Sequence, residues 1–348
     1  MKKHLIALAA LTGLTAMAQA QTQVTLFGTL DVAARYTKNG DENQTSLASS
    51  GNQKSRIGLR GTEDLGHGLR AGFWLESGLN VDTGKQADSE RYWNRRATVS
   101  LMGSFGEVRL GRDTTPTYNG YAAYDVFDNS GVADTSKFVT KLGTNADTLT
   151  RADNMVSYFL PSNLGGTYGQ LSVAAGEGTA GKKYYGGRLG YATGALDVSA
   201  SYGQTTVTPL AGSSKDKYKL GSIAASYDFN VVKVSGYVSQ AKYADTKLNI
   251  ANLGASVPLG PGSARVSYTY VDAKGTTAAG VNTDKNDASQ FAVGYVYDLS
   301  KRTALYSTVA YINNKNGAAY VVDSNPALPN PNTGKSSTGY EIGIRHSF

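Results

Sequence analysis

Apolar and polar residues alternate along nearly the whole chain with a period of two, the repeat of a β-strand whose two faces meet different surroundings. Val24, Leu26, Gly28, Leu30 and Val32 alternate with Thr25, Phe27, Thr29 and Asp31, and Leu69, Ala71, Phe73 and Leu75 alternate with Arg70, Gly72, Trp74 and Glu76. The same rhythm predicts strands at 156–160, 170–174, 185–191, 196–202, 217–227, 231–240, 247–257, 264–271, 290–297 and 303–313. No stretch carries a helical repeat. Short turns at 102–106, 191–194, 228–230 and 298–301 trade places with long polar loops at 37–54, 80–90, 112–150, 273–287 and 314–336. Short turns on one side and long loops on the other predict an all-β fold, a transmembrane antiparallel β-barrel of about sixteen strands.

The two ends of the chain sharpen this picture. In the segment from Gly339 to Phe348, Tyr340, Ile342, Ile344, His346 and Phe348 share one face, and Glu341, Arg345 and Ser347 share the other. An exposed terminal strand leaves an unpaired edge that invites aggregation, and a closed barrel removes that edge by pairing the last strand with the first. At the other end, Lys2 and Lys3 precede an apolar run from Leu5 to Leu14 and the small-residue site Ala18-Gln19-Ala20. This is the layout of an export signal over 1–20, with a single barrel domain over 21–348. The apolar run is too short for the roughly 20 residues of a spanning helix.

Composition fits half-wet, half-lipid strands. Only 40% of residues are hydrophobic, and the chain has 23 tyrosines, 41 glycines and no cysteine. Tyrosine suits the aromatic girdles of a barrel, where an apolar ring and a polar hydroxyl are both satisfied. The eight prolines fall in loops or at strand ends, as expected of a residue that cannot donate to a ladder. The formal net charge of +7 becomes +5 once Lys2 and Lys3 leave with the signal.

Catalytic chemistry finds little support. Beyond the signal only His67 and His346 remain, neither beside a nucleophile elbow or a ligand-spaced partner. The glycine-rich run 176–183 approaches a phosphate loop, but Lys183 stands where Ser or Thr is required and a strand follows instead of a helix. No catalytic residue, metal, cofactor or nucleic-acid partner is expected.

The informative residues are arginines on strands. In 55–61, Arg56 and Arg60 share a face with Gly58, while Ile57 and Leu59 take the other. Arginine against lipid is costly, so both guanidiniums are expected in the lumen. Arg95 and Arg96 follow each other, so strict alternation sends one inward, with Arg96 in phase with Thr98 and Ser100. Arg112 opens the longest loop and Arg151 closes it. Gly28 and Thr98 read as small or polar outward residues suited to a subunit interface.

The chain resembles the trimeric general porins of Gram-negative outer membranes, in the branch typical of beta-proteobacteria. The likeness rests on the first-strand segment 24–31, on Ser55-Arg56-Ile57-Gly58-Leu59-Arg60-Gly61 with Glu63-Asp64-Leu65-Gly66 after it, and on Phe73-Trp74-Leu75-Glu76. Asn94-Arg95, Leu110-Gly111-Arg112 and the terminal Phe348 extend it. It implies a homotrimer in contact with outer-membrane lipid and lipopolysaccharide, assembled by the barrel assembly machinery with Phe348 as its signal. It also implies a third loop folded into the lumen, with small hydrophilic solutes and ions passing by diffusion, anions preferred. By resemblance the basic side of the constriction falls on Arg56, Arg95 and Arg151, with Arg60 and Arg112 as additions, and family position favours Arg95 over Arg96. The acidic loop side falls on Asp113, Asp125 and Asp128. The loop departs from the family pattern at Asp125-Val126-Phe127-Asp128, which lacks the proline and glycine common around that phenylalanine.

Overall fold

A computed structural model describes residues 23–323, 328 and 333–348. The expected signal at 1–20 and most of the proline-rich run 325–331 lie outside the described residues. The strands are β1 (Gln23–Asn39), β2 in two pieces (Glu42–Ser49 and Arg56–Gly66), β3 (Leu69–Asn80), β4 (Arg96–Gly103), β5 (Gly106–Thr114), β6 (Arg151–Phe159), β7 (Thr167–Ala174) and β8 (Lys183–Thr193). They continue with β9 (Leu196–Thr206), β10 (Lys217–Asp228), β11 (Lys233–Tyr243), β12 (Thr246–Leu259), β13 (Gly262–Lys274), β14 (Ala288–Asp298), β15 (Thr303–Asn314) and β16 (Ser337–Ser347). Each pairs antiparallel with the next, and β1 pairs with β16 from Thr29↔Ser347 to Asn39↔Ser337, which closes a sixteen-stranded barrel. A two-residue strand, Lys85–Gln86, folds back on the end of β3 outside the barrel ladder.

Parity sets the two faces as the alternation requires. Leu101, Val156, Leu171, Ile223, Leu253, Phe291 and Ile342 are exposed on the outer surface, whereas Ser157, Ser201, Ser222 and Glu341 are buried on the inner one. Thr98 is an exception to the expected placement. It is buried in the lumen and accepts from Arg96 Nε (3.0 Å), because it lies in phase with Arg96 and Ser100.

The expected loop at 37–54 is mostly strand. β1 runs to Asn39 and turns through Gly40 (φ 60°) and Asp41 into β2, with Thr37 opposite Gln44 and Lys38 opposite Asn43. Both faces are polar there, so the apolar alternation disappears while the ladder continues. The real break is 50–55, six residues that stand opposite Leu30 and Asp31 alone. The Asp31 carboxylate holds this excursion by accepting from the backbone N–H groups of Gly51, Asn52 and Gln53 at 3.0, 3.0 and 2.7 Å.

The third loop, 115–150, folds into the barrel. Thr115 caps a short helix α1 (Pro116–Ala122), its Oγ1 accepting from Tyr118 N at 3.3 Å, with Pro116 at the first helical position. Gly120 lets the helix touch the wall, since a Cβ there would lie 2.1 Å from Ser201 Oγ. Tyr121, Tyr124, Phe127, Val132 and Phe138 of the loop form one buried apolar cluster with Tyr218, Tyr237, Ile250, Val271 and Ile312 of the wall. This cluster is the main core of the protein, and it lies inside the barrel.

The closing strands meet at Phe348 and Gly28, which exchange two backbone hydrogen bonds of 3.1 Å. The Phe348 ring covers Gly28 so closely that a Cβ there would lie 2.4 Å from Cζ. Gly28→Val is therefore expected to destabilise the seam by about 1–3 kcal/mol, the scale of overpacking. It should lower the temperature at which the folded band converts to the unfolded one in gel electrophoresis, and deletion of Phe348 should reduce the folded fraction. Wild-type heat modification in both variants would separate Phe348 from barrel closure.

Candidate functional site

Three guanidiniums gather around one carboxylate on the wall opposite the packed loop. Arg56 stands on β2 across from Thr29 and Gly78, with Ile57 on the outer face. Glu76 stands on β3, and its Oε1 is 3.9 Å from Arg56 Nε and 2.5 Å from Arg95 Nε. Its other oxygen accepts from Trp74 Nε1 at 3.0 Å. Arg151 gives Nε to the Arg95 carbonyl at 2.8 Å, which brings the third guanidinium to the same place. Glu76 went unassigned in the sequence, although its alternation with Leu75 already marks it as luminal.

The choice between Arg95 and Arg96 dissolves in the structure, because both point inward. Arg95 precedes β4 and is tied by its N–H to the Glu76 carbonyl (3.1 Å), so the ladder's parity does not bind it. Arg96 begins β4, lies over the Trp74 ring at 4.5 Å and pairs with Asp113 at 3.6 Å.

Arg60 and Arg112 stand apart from this group. Arg60 is four residues beyond Arg56 on the same strand, or roughly 13 Å toward the short-turn end at a rise of about 3.3 Å per residue. Arg112 sits at a register shift between Gly111 and Asp113. It gives Nε to the Asn94 carbonyl (2.7 Å) and Nη1 to Asp153 (2.5 Å), which also meets Arg91 at 3.3 Å. Arg112 thus fastens the segment before β4 to β6.

The three acidic candidates occupy three different settings. Asp113 is buried and bound to Arg109 at 2.6 Å. Asp125 is turned into the loop, where it accepts from Thr135 Oγ1 (2.6 Å) and Phe127 N (2.8 Å). Burial pushes its carboxyl up to about 6. Asp128, in a left-handed conformation (φ 56°), has a half-exposed side chain 3.6 Å from Arg265 on β13 and acts electrostatically on Arg56. A further loop acid, Asp134, reaches Lys54 of the β2 break at 3.1 Å. Nothing in the residues around it sets Asp134 apart in the sequence.

Between loop and wall lies a cavity of about 850 Å³ whose charged lining includes Lys54, Arg95, Asp134, Lys137 and Arg151. Lys137 is half-buried at its edge, donating to the Val132 carbonyl (3.0 Å), Gln290 Oε1 (3.0 Å) and the Val322 carbonyl (2.6 Å). Desolvation brings its ammonium down to about 7.

Known proteins resemble this chain along its full length. The family described as Gram-negative porin matches residues 7–317. The chain is 39% identical over 365 residues to outer membrane porin protein 32 of Delftia acidovorans, with 100% of both chains covered. It is 31% identical over 413 residues to an outer membrane porin protein of Bordetella pertussis, again with 100% of both covered. Among solved structures, the anion-selective porin from Comamonas acidovorans shares 37% identity at a TM-score of 0.84, covering 94% of this chain and 100% of that one.

The Asp125 carboxyl gives the loop a pH dependence of its own. Its folded value of about 6 stands above the ordinary 3.8, so the folded loop binds the proton more tightly. The stability it contributes is complete below pH 3.8 and is lost as pH rises through 6. Exchange of the Phe127 and Thr135 amides, corrected for intrinsic rates, should therefore increase from pH 5 to pH 7. In Asp125→Asn the two pH values should give equal protection. The same trend in wild type and variant would assign the loop's pH response elsewhere.

Proposed function

From a chain that belongs to the Gram-negative porin family, we propose an outer-membrane diffusion channel whose preference for anions is set by Arg56, Arg95 and Arg151 around Glu76. The observation that carries the reading is the excess of three guanidiniums over one carboxylate on the free wall. In a water-filled channel, charges of one sign beside low-dielectric walls raise the local concentration of the opposite ion. Arg56, Arg95 and Arg151 are all partly buried, so electrolyte screens them less than it would exposed charges.

The loop supplies the opposite pole. Asp128 acts electrostatically on Arg56, and Asp134 lines the cavity while paired with Lys54, so a field runs across the channel and orients solutes that carry a dipole. Asp113 and Asp125 are left out of that pole, since one neutralises Arg109 and the other supports the loop from within. Assembly as a homotrimer belongs to the same reading and rests on the family likeness.

Two substitutions separate this wall from diffuse surface charge. Arg56→Glu should move the zero-current potential in a KCl gradient strongly toward cation preference, whereas Lys315→Glu in the last long loop should move it little. Equal shifts would place selectivity in the overall charge. Glu76→Gln removes the single counter-charge and should raise the chloride-over-potassium permeability ratio, measured in the same gradient. A ratio at or below wild type would take Glu76 out of the channel's field.

A further inference from the structure

The short-turn half of the lumen holds a second basic group, one strand segment below Arg56. The Arg60 guanidinium carbon lies 5.3 Å from the Phe27 ring and 5.1 Å from the Trp74 ring, and these rings meet edge to face at 5.0 Å. Arg96 covers Trp74 at 4.5 Å, and Arg109 covers Phe159 at 4.1 Å. Arg96 and Arg109 are answered by acids, Asp113 at 3.6 and 2.6 Å and Glu107 at 2.8 Å. Arg60 differs. Among the described residues it has ring contacts and no ion pair or hydrogen bond, and it is exposed to the lumen. Three arginines against two carboxylates leave one positive charge, and it resides on the guanidinium whose donors are free.

The surroundings of that guanidinium are mixed in character. It opens onto a recess of about 510 Å³ lined by the hydroxyl residues Thr25, Thr62 and Ser100 and by the apolar surfaces of Trp74 and Met102. Two rings hold the planar fork in place, so less freedom is lost when it binds a carboxylate with two parallel hydrogen bonds. Chloride would use only the charge. A dianion would bring one charge more than the cluster balances.

We propose that this recess is a transient subsite for small organic monocarboxylates with an apolar body, benzoate being the simplest probe. The carboxylate sits on the Arg60 fork, the hydrocarbon part lies against Trp74 and Met102, and the site loads the channel from the short-turn side. The inference rests on the anion-channel reading for its purpose, not for its geometry.

The test is channel block in planar bilayers. Sodium benzoate added to KCl at constant ionic strength should reduce the chloride current of the wild-type channel saturably, and acetate should do so less. Arg60→Gln should raise the half-blocking benzoate concentration about fivefold, the upper scale of one solvent-facing ion pair. Arg60→Lys keeps the charge but loses the fork, so it should follow Arg60→Gln for benzoate. Unchanged benzoate block in Arg60→Gln, or equal block by acetate and benzoate in wild type, would overturn the subsite. Arg60-dependent benzoate block in a channel without anion preference in KCl would uphold the subsite and refute the anion-channel reading alone.

Discussion

The packing of the third loop against one half of the inner wall is the interaction on which the rest of this structure depends. A barrel of sixteen strands is too wide for side chains to meet across its interior. Apolar residues such as Ile250, Val271 and Ile312 would face water without the loop residues that cover them. Tyrosines make that cover possible. Tyr121 and Tyr237 bury their rings, and Tyr124 reaches Asp197 and Ser199 at 3.0 Å with its hydroxyl, so a loop that crosses a polar wall still satisfies its hydrogen bonds. With the loop packed against β7–β16, the open half of the lumen is left to β1–β6, and that is where Arg56, Arg95 and Arg151 stand.

Placement of the arginines then follows from two different kinds of restraint. Arg56 and Arg96 are directed by strand parity, which fixes the side chain's root. Arg95 and Arg151 lie at strand ends, where parity loosens, and are fixed by hydrogen bonds to Glu76 and to the Arg95 carbonyl. Lower in the channel, aromatic rings take over this role for Arg60, Arg96 and Arg109. Guanidinium is weakly hydrated and planar, so it accepts a ring face at small cost and keeps its edge for partners. Lysine would suit neither arrangement.

Much of this was legible in the residues, and the parts that were not share a cause. Strand positions followed the alternation closely, as at β10 (217–227 expected, Lys217–Asp228 found) and β15 (303–313 expected, Thr303–Asn314 found). Alternation failed where both faces are polar, which hid the strands on either side of Gly40 and moved the apparent loop away from the true break at 50–55. It also says nothing about residues outside the ladder. Arg95 could not be chosen over Arg96 on parity, and Asp125 and Asp128, three positions apart in one loop, differ only through tertiary burial. The inward fold of the loop and the constriction itself came from family likeness, since no local pattern states that a polar loop turns inward.

The β2 break gives the loop its address. Its residues are pinned by Asp31, and Ser50 then accepts from the backbone N–H of Gly131 at 3.1 Å, while Lys54 meets Asp134. On the other flank, Glu341 of β16 accepts from the Val132 N–H at 3.3 Å and pairs with Arg35 of β1 at 2.6 Å. The loop tip is therefore held by β16, whose Glu341 is paired with Arg35 of β1, and by the interruption in β2. Contacts separated by 209 residues cannot form until the chain is nearly complete, and loop-closure entropy opposes forming them earlier. The β1–β16 seam and the seat of the loop tip thus share one side chain, Glu341.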